Sequence, residues 1–190
     1  MPLHRSLRAA LPALALFAVF LPGAPGLPST LIVARAQTAP GCTVDASHLS
    51  PDAEEQALLA GANAYRASYG LPPLRLSWSL TVSALWKSTD MAANHYFAHD
   101  DATRSWEQRL ADCGYTVQGA YMAENLAAGN AGGSATLAQW EASPPHNANL
   151  LNPHYTATGI KRVQSPNDPY GWYWTMEFGS TLDHDLTAVQ

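Results

Sequence analysis

The chain has 190 residues, 47% of them hydrophobic, with 15 acidic and 10 basic side chains for a formal charge of −5. An acidic balance without a Lys/Arg cluster excludes nucleic acid and anionic membrane surfaces as natural partners. Neutral, apolar or cationic partners remain.

Residues 1–36 read as an export signal. His4, Arg5 and Arg8 form a basic start, Ala9 to Leu21 an apolar run, and Ala34-Arg35-Ala36 a small-x-small cleavage site. The run is too short to span a membrane, and Pro12, Pro22, Pro25 and Pro28 interrupt or follow it, so no transmembrane anchor is expected. The mature chain then starts at Gln37 and is secreted or periplasmic. Its 154 residues suffice for one domain with a sizeable core, and seven basic against 15 acidic side chains give it a charge of −8. A lipoprotein acylated at Cys42 is the rival reading, but Pro40 stands where an acylation signal wants a small residue. Cys42 and Cys113, in an oxidising compartment, are expected to form one disulfide closing a loop of about 70 residues, against the alternative of two free thiols.

A first helix is predicted from Ser50 to Gly70. Ser50 caps, Pro51 opens, Asp52, Glu54 and Glu55 suit the positive end, and Ala57, Leu58, Gly61, Ala62, Tyr65 and Tyr69 recur on one face. A second helix runs from Ser79 to about Asn94. His95 and His99 follow, then a third helix, capped by Asp101 or Thr103, which ends at Cys113-Gly114. A short β-like run ends in Glu124-Asn125-Leu126, and the glycine loop after it lacks the lysine of a phosphate cradle. Ser134 to Glu141 is a short helix.

Ser143 to Tyr155 is the densest stretch. Pro144 and Pro145 end the preceding helix, a new turn begins at His146 with its imidazole in a fixed direction, and Asn152-Pro153 stops that turn. Thereafter the period becomes two. Thr156 to Gln164 and Tyr170 to Gly179 form a hairpin whose second strand places Trp172, Trp174, Met176 and Phe178 on one face, and Tyr173, Thr175 and Glu177 on the other. The domain runs over residues 50–181, after an N-terminal extension at 37–49 and before a frayed tail at 182–190.

Helices first and an aromatic hairpin last, together with NAYRASYGLPPL (63–74), YFAHDD (96–101), AENLAAG (123–129), the 143–155 stretch and YGWYWTMEFG (170–179), resemble the CAP superfamily. This is the family of cysteine-rich secretory proteins, antigen 5 and pathogenesis-related proteins with an SCP-like domain, here in its compact bacterial branch. The resemblance implies an α+β fold: an α-β-α sandwich with a three-stranded antiparallel sheet between helical layers, and a surface cleft. It matches His99 and His146 to the family's two histidines and Glu124 to the acid of its Glu-Asn-Leu motif. In several members the histidines bind a divalent metal, usually zinc. Ser143 stands where fuller family sites carry a second glutamate. Glu141, one residue after Trp140, is the nearby acid but points another way on a helix.

Two imidazoles and a carboxylate are adequate for zinc, and Glu124 is a candidate general base. The bland readings are that His99 bonds its loop, Glu124 satisfies strand-end amides and His146 caps its own helix. His95 reads as structural at a helix C-terminus, and His154 as surface. His48 and His184 carry no signal. Asn147 and Asn149 tie loop backbone, and a Ser143–His146 nucleophile has no orienting acid. Tyr121, Tyr155, Trp172, Tyr173 and Trp174 are candidates for an apolar groove of the kind in which CAP relatives bind sterols or fatty acids. Core is the competing reading for Trp172 and Trp174. The expected function is that of a monomeric binding module for a small apolar ligand (lipid or sterol) or a protein partner, with a divalent metal at His99 and His146. The alternatives are a zinc-dependent extracytoplasmic hydrolase and a structural envelope protein.

Overall fold

The computed structural model describes residues 41–186. The export signal expected at 1–36 lies outside the described residues, and no helix among those described is long and apolar enough to cross a membrane. The order is a 3-10 turn (Ala46–His48), α1 (Ala53–Ser68), β1 (Arg75–Leu76), α2 (Trp78–Asn94), α3 (Trp106–Asp112), β2 (Met122–Ala128), α4 (Gly133–Glu141), α5 (Pro144–Leu150), β3 (Ala157–Gln164) and β4 (Trp172–Gly179). The mixed α+β fold agrees with the sequence reading. The sheet does not have three strands, however, but four, in the order β1-β3-β4-β2. The three antiparallel strands are present, and β1 adds two residues parallel to β3 at Ala157 and Thr158.

Local chemistry moved the expected ends. Asp52, rather than Ser50, caps α1: it accepts from the amides of Glu54 and Glu55, while the Glu55 side chain accepts from the Asp52 amide. Glu55 then reaches the Arg162 amide and Lys161 Nζ, covering the edge of β3 beyond the short β1. Ser105 caps α3, and Asp101 instead closes the preceding turn onto Thr103 and Arg104. The tail is docked, not frayed, as far as Leu186. Ser77 bridges Asp185, and Asp183 accepts from the Ser79 amide at the start of α2.

Both faces of the sheet are covered, as the strands' near-continuous burial requires. Trp174, Met176, Phe178 and Ile160 face α1, α4 and α5 in a core with Leu58, Leu137, Trp140 and Leu150. Tyr173 and Leu126 face α2 with Met91 and Ala92. Cys42 is bonded to Cys113, so the segment ahead of α1 is tied across α2 to the end of α3. The thiol that acylation would need is therefore committed.

Candidate functional site

The site is built on β2, an edge strand. Successive residues of a strand point to opposite faces, and β2 uses this with a neighbouring pair. Glu124 projects toward the α2 face and Asn125 toward the α5 face. Glu124 Oε1 meets His99 Nδ1 at 2.8 Å. Asn125 Nδ2 donates to the His146 carbonyl at 3.1 Å, and its Oδ1 accepts from Asn149 Nδ2 at 2.8 Å. One dipeptide therefore grips the two histidine-bearing segments from opposite sides.

His146 is placed by α5, whose first turn contains Pro144 and Pro145. The two prolines belong to the new helix and do not merely separate it from α4. The far end of α5 is fastened by Arg66, fully buried, which donates to the carbonyls of Leu150, Asn152 and Tyr155. Burial, with a smaller contribution from the charge of His99, lowers the His146 pKa. The His99 ring is thus close enough to disfavour protonation of His146. His146 Nδ1 is buried without a hydrogen-bond partner among the described residues.

His99 has the opposite environment. Its side chain is 52% exposed while that of Glu124 is 1% exposed. A carboxylate can only accept, so this bond requires the proton on Nδ1, and in the neutral imidazole the lone pair then lies on Nε2. Behind Glu124 lies a buried network that the sequence did not reveal. Arg109, from α3, pairs with Glu124 Oε2, donates to the His99 carbonyl at 3.0 Å and to Ser83 Oγ at 3.3 Å, and lies 3.4 Å from Glu177 Oε1. Glu177 is the residue directly opposite Glu124 in the β2–β4 register. Burial, reinforced by the Glu124 charge, raises its pKa well above the carboxylate range, so Glu177 carries the proton of this pair. An acid inside a strand buried on both faces was the available signal for Glu177. Arg109, one charged residue in a short helix, gave none.

Of the other candidates, Glu141 is the last residue of α4. The Tyr65 hydroxyl pKa is raised by its hydrogen bond with Tyr69 first and, among smaller causes, by the Glu141 charge, which places this acid beside α1. His95 ends α2 in a left-handed conformation and bonds Asp168 at 2.9 Å, and His154 stacks on exposed Tyr121. Tyr155, Tyr173 and Trp174 belong to the core, and Trp172 is half-buried under the Arg162 guanidinium. Two hollows of about 310 and 470 Å³ lie outside the cleft, on either side of Trp86 and Asp90 on α2. Among the described residues no three His, Cys, Asp or Glu side chains converge as a ready metal site. The residues that could hold a divalent cation are His99, oriented by Glu124, and His146, whose Nδ1 has no partner among the described residues. Water or ligand would complete the coordination.

Known proteins share this architecture. The Bacillus subtilis protein YkwD is 32% identical over 137 residues, which cover 72% of this chain and 51% of YkwD, so the chain spans about half of that relative's length. An extracellular protein from Bacillus anthracis containing an SCP domain is 31% identical with a TM-score of 0.56, over 65% of this chain and 39% of that one. An outer surface protein from Borrelia burgdorferi, at 20% identity and TM-score 0.60, covers 68% of this chain and 95% of its own, and shares the fold alone. The profile of the cysteine-rich secretory protein family matches residues 59–178, a span that includes His99, Glu124, His146 and the hairpin, and the chain belongs to that CAP family.

Proposed function

We propose that this chain is a secreted CAP module that works by binding, taking a divalent cation between His99 and His146 and presenting it to a small apolar ligand or a partner at the cleft. The observation that carries this reading is the grip of Glu124 and Asn125 on the two histidine segments, with Glu124 fixing the His99 tautomer that a metal requires. Phe97, two residues before His99, is exposed and in ring contact with exposed Tyr170, which supplies apolar surface nearby. The description of the Bacillus anthracis protein as extracellular supports an extracytoplasmic setting. Hydrolysis with Glu124 as general base is the less favoured reading, because its side chain is 1% exposed and already accepts from His99 and Arg109, which leaves water little access to it. The test is titration of untagged, chelator-treated mature protein with zinc, beside a His99→Ala/His146→Ala variant, followed by solvent extraction for bound lipid. Stoichiometric zinc, weakened at least 100-fold in the double variant, is expected. Equal zinc affinity in the two proteins overturns the metal site. Absence of zinc together with absence of bound sterol or fatty acid overturns the binding role.

A further inference from the structure

The contacts of Arg109 close a ring that begins and ends on one residue. From the His99 carbonyl the path runs to Arg109 Nη1, across the guanidinium to Nη2, to Glu124 Oε2, across the carboxylate to Oε1, and back to His99 at Nδ1. We propose that Arg109 is the positioning residue of the cleft, holding the His99 backbone directly and the His99 ring through Glu124. The proposal rests on the binding role assigned to the cleft.

The closed path matters because a carboxylate hydrogen bond alone does not fix an imidazole. A free glutamate side chain can also turn away from the ring and leave it to either tautomer. Arg109 removes that freedom, since the planar fork of a guanidinium sets the direction of both of its bonds at once. The fork is itself anchored: Arg109 is fully buried, with Nε on Ser83 Oγ, and Ser83 in turn donates to Glu177 Oε1 at 2.9 Å. The loop bearing His99 is also fastened to both helices around it. Lys87 Nζ of α2 donates to the Asp100 carbonyl at 3.2 Å, and the Trp106 amide at the start of α3 donates to Asp100 Oδ1 at 3.0 Å.

Stability alone is a poor reason for such a cluster. Burying a guanidinium and two carboxyl groups carries a desolvation cost that apolar side chains of similar volume avoid. The Glu55–Lys161 pair shows what a structural buried pair looks like here, since it covers a strand edge and touches no candidate functional residue. Arg109 instead spends one bond on the His99 carbonyl and another on the carboxylate that holds the His99 ring. Lysine cannot replace it, because one ammonium nitrogen cannot hold the carbonyl and the carboxylate along two fixed directions.

The experiment is nitrogen-15 NMR of the histidine rings in chelator-treated protein, with zinc titration alongside. In wild type, His99 should be a single Nδ1–H tautomer. In Arg109→Lys it should become an averaged mixture, and zinc affinity should fall 10- to 100-fold. Glu55→Gln, which breaks the buried pair at the opposite sheet edge, should lower the melting temperature and move neither readout. A single Nδ1–H tautomer and wild-type zinc affinity in Arg109→Lys overturn the proposal. If Arg109→Lys does not fold, the wild-type guanidinium decides: separate, slowly rotating Nη–H signals support the fixed ring, and a freely rotating group overturns it. If wild type binds no zinc while Arg109→Lys still scrambles the tautomer, the metal reading fails and the positioning role stands. If wild type binds zinc and Arg109→Lys matches it in both readouts, the positioning role fails alone.

Discussion

Glu177 and Glu124 face each other across β2 and β4 with one guanidinium between them, so ionising both would leave an uncompensated charge in the core. The raised pKa of Glu177 makes this a stability statement. Its unfolded value is near 4.5, and the native value lies well above it. Above pH 4.5 the unfolded chain releases this proton while the native protein keeps it, so stability from this group is full below 4.5 and is lost as pH rises toward the native value. Glu177→Gln mimics the protonated acid and removes that loss. Urea unfolding at pH 4 and pH 8 should show the variant's stability relative to wild type improving by ~1 kcal/mol or more between the two. A constant offset across that range would show that the native pKa of Glu177 is not raised above its unfolded value. The same residues show what sequence could reveal. His99, Glu124 and His146 were legible because each sits in a motif of fixed order. Arg109 was not, and Glu177 showed only as an acid inside a buried strand, because their partners are set by a cross-strand register and a helix orientation that exist only once the chain is folded.

At the scale of elements, hydrophobic period located most helices and strands to within a few residues, because burial of one face dictates that period. The misses had local causes. β1 is two residues long, too short to carry a period, and it exists because the extended Arg75-Leu76 segment runs alongside the end of β3. The cap of α1 moved to Asp52 because a capping box with Glu55 satisfies more amides than Ser50 would. Backbone packs tightly on backbone where α2 lies on β3 at Gly159. A Cβ there would sit 2.1 to 2.3 Å from the backbone of Leu80 and Thr81. Those atoms belong to a helix that is itself packed and capped, so they cannot yield without moving α2 off β3 and β4. Gly159→Ala should therefore destabilise by ~3 kcal/mol, at or above the usual overpacking range, measured by urea midpoint with unchanged m. A loss below about 0.5 kcal/mol would mean that α2 slides freely on the sheet.

For the whole molecule, the Cys42–Cys113 bond connects the first described residues to the end of the helix that carries Arg109, across 71 positions of sequence. By the chain-entropy model a loop of that size contributes about 4 kcal/mol, through the unfolded state. The fold does not depend on the bond for its core, since the cluster around Trp140 and Trp174 lies on the far side of the sheet. Reduction should then lower the unfolding free energy by up to about 4 kcal/mol and leave a folded protein. The native state also offers a second effect. Arg104 holds the Gly41 carbonyl as well as Asp101 and Asp112, so the N-terminal segment braces the loop between His99 and α3. Hydrogen exchange should show this: on reduction, protection should fall first for amides of residues 99–114, with those of β3 and β4 retained. Uniform loss across the sheet would mean that the bond acts only on the unfolded chain and leaves the cleft unbraced.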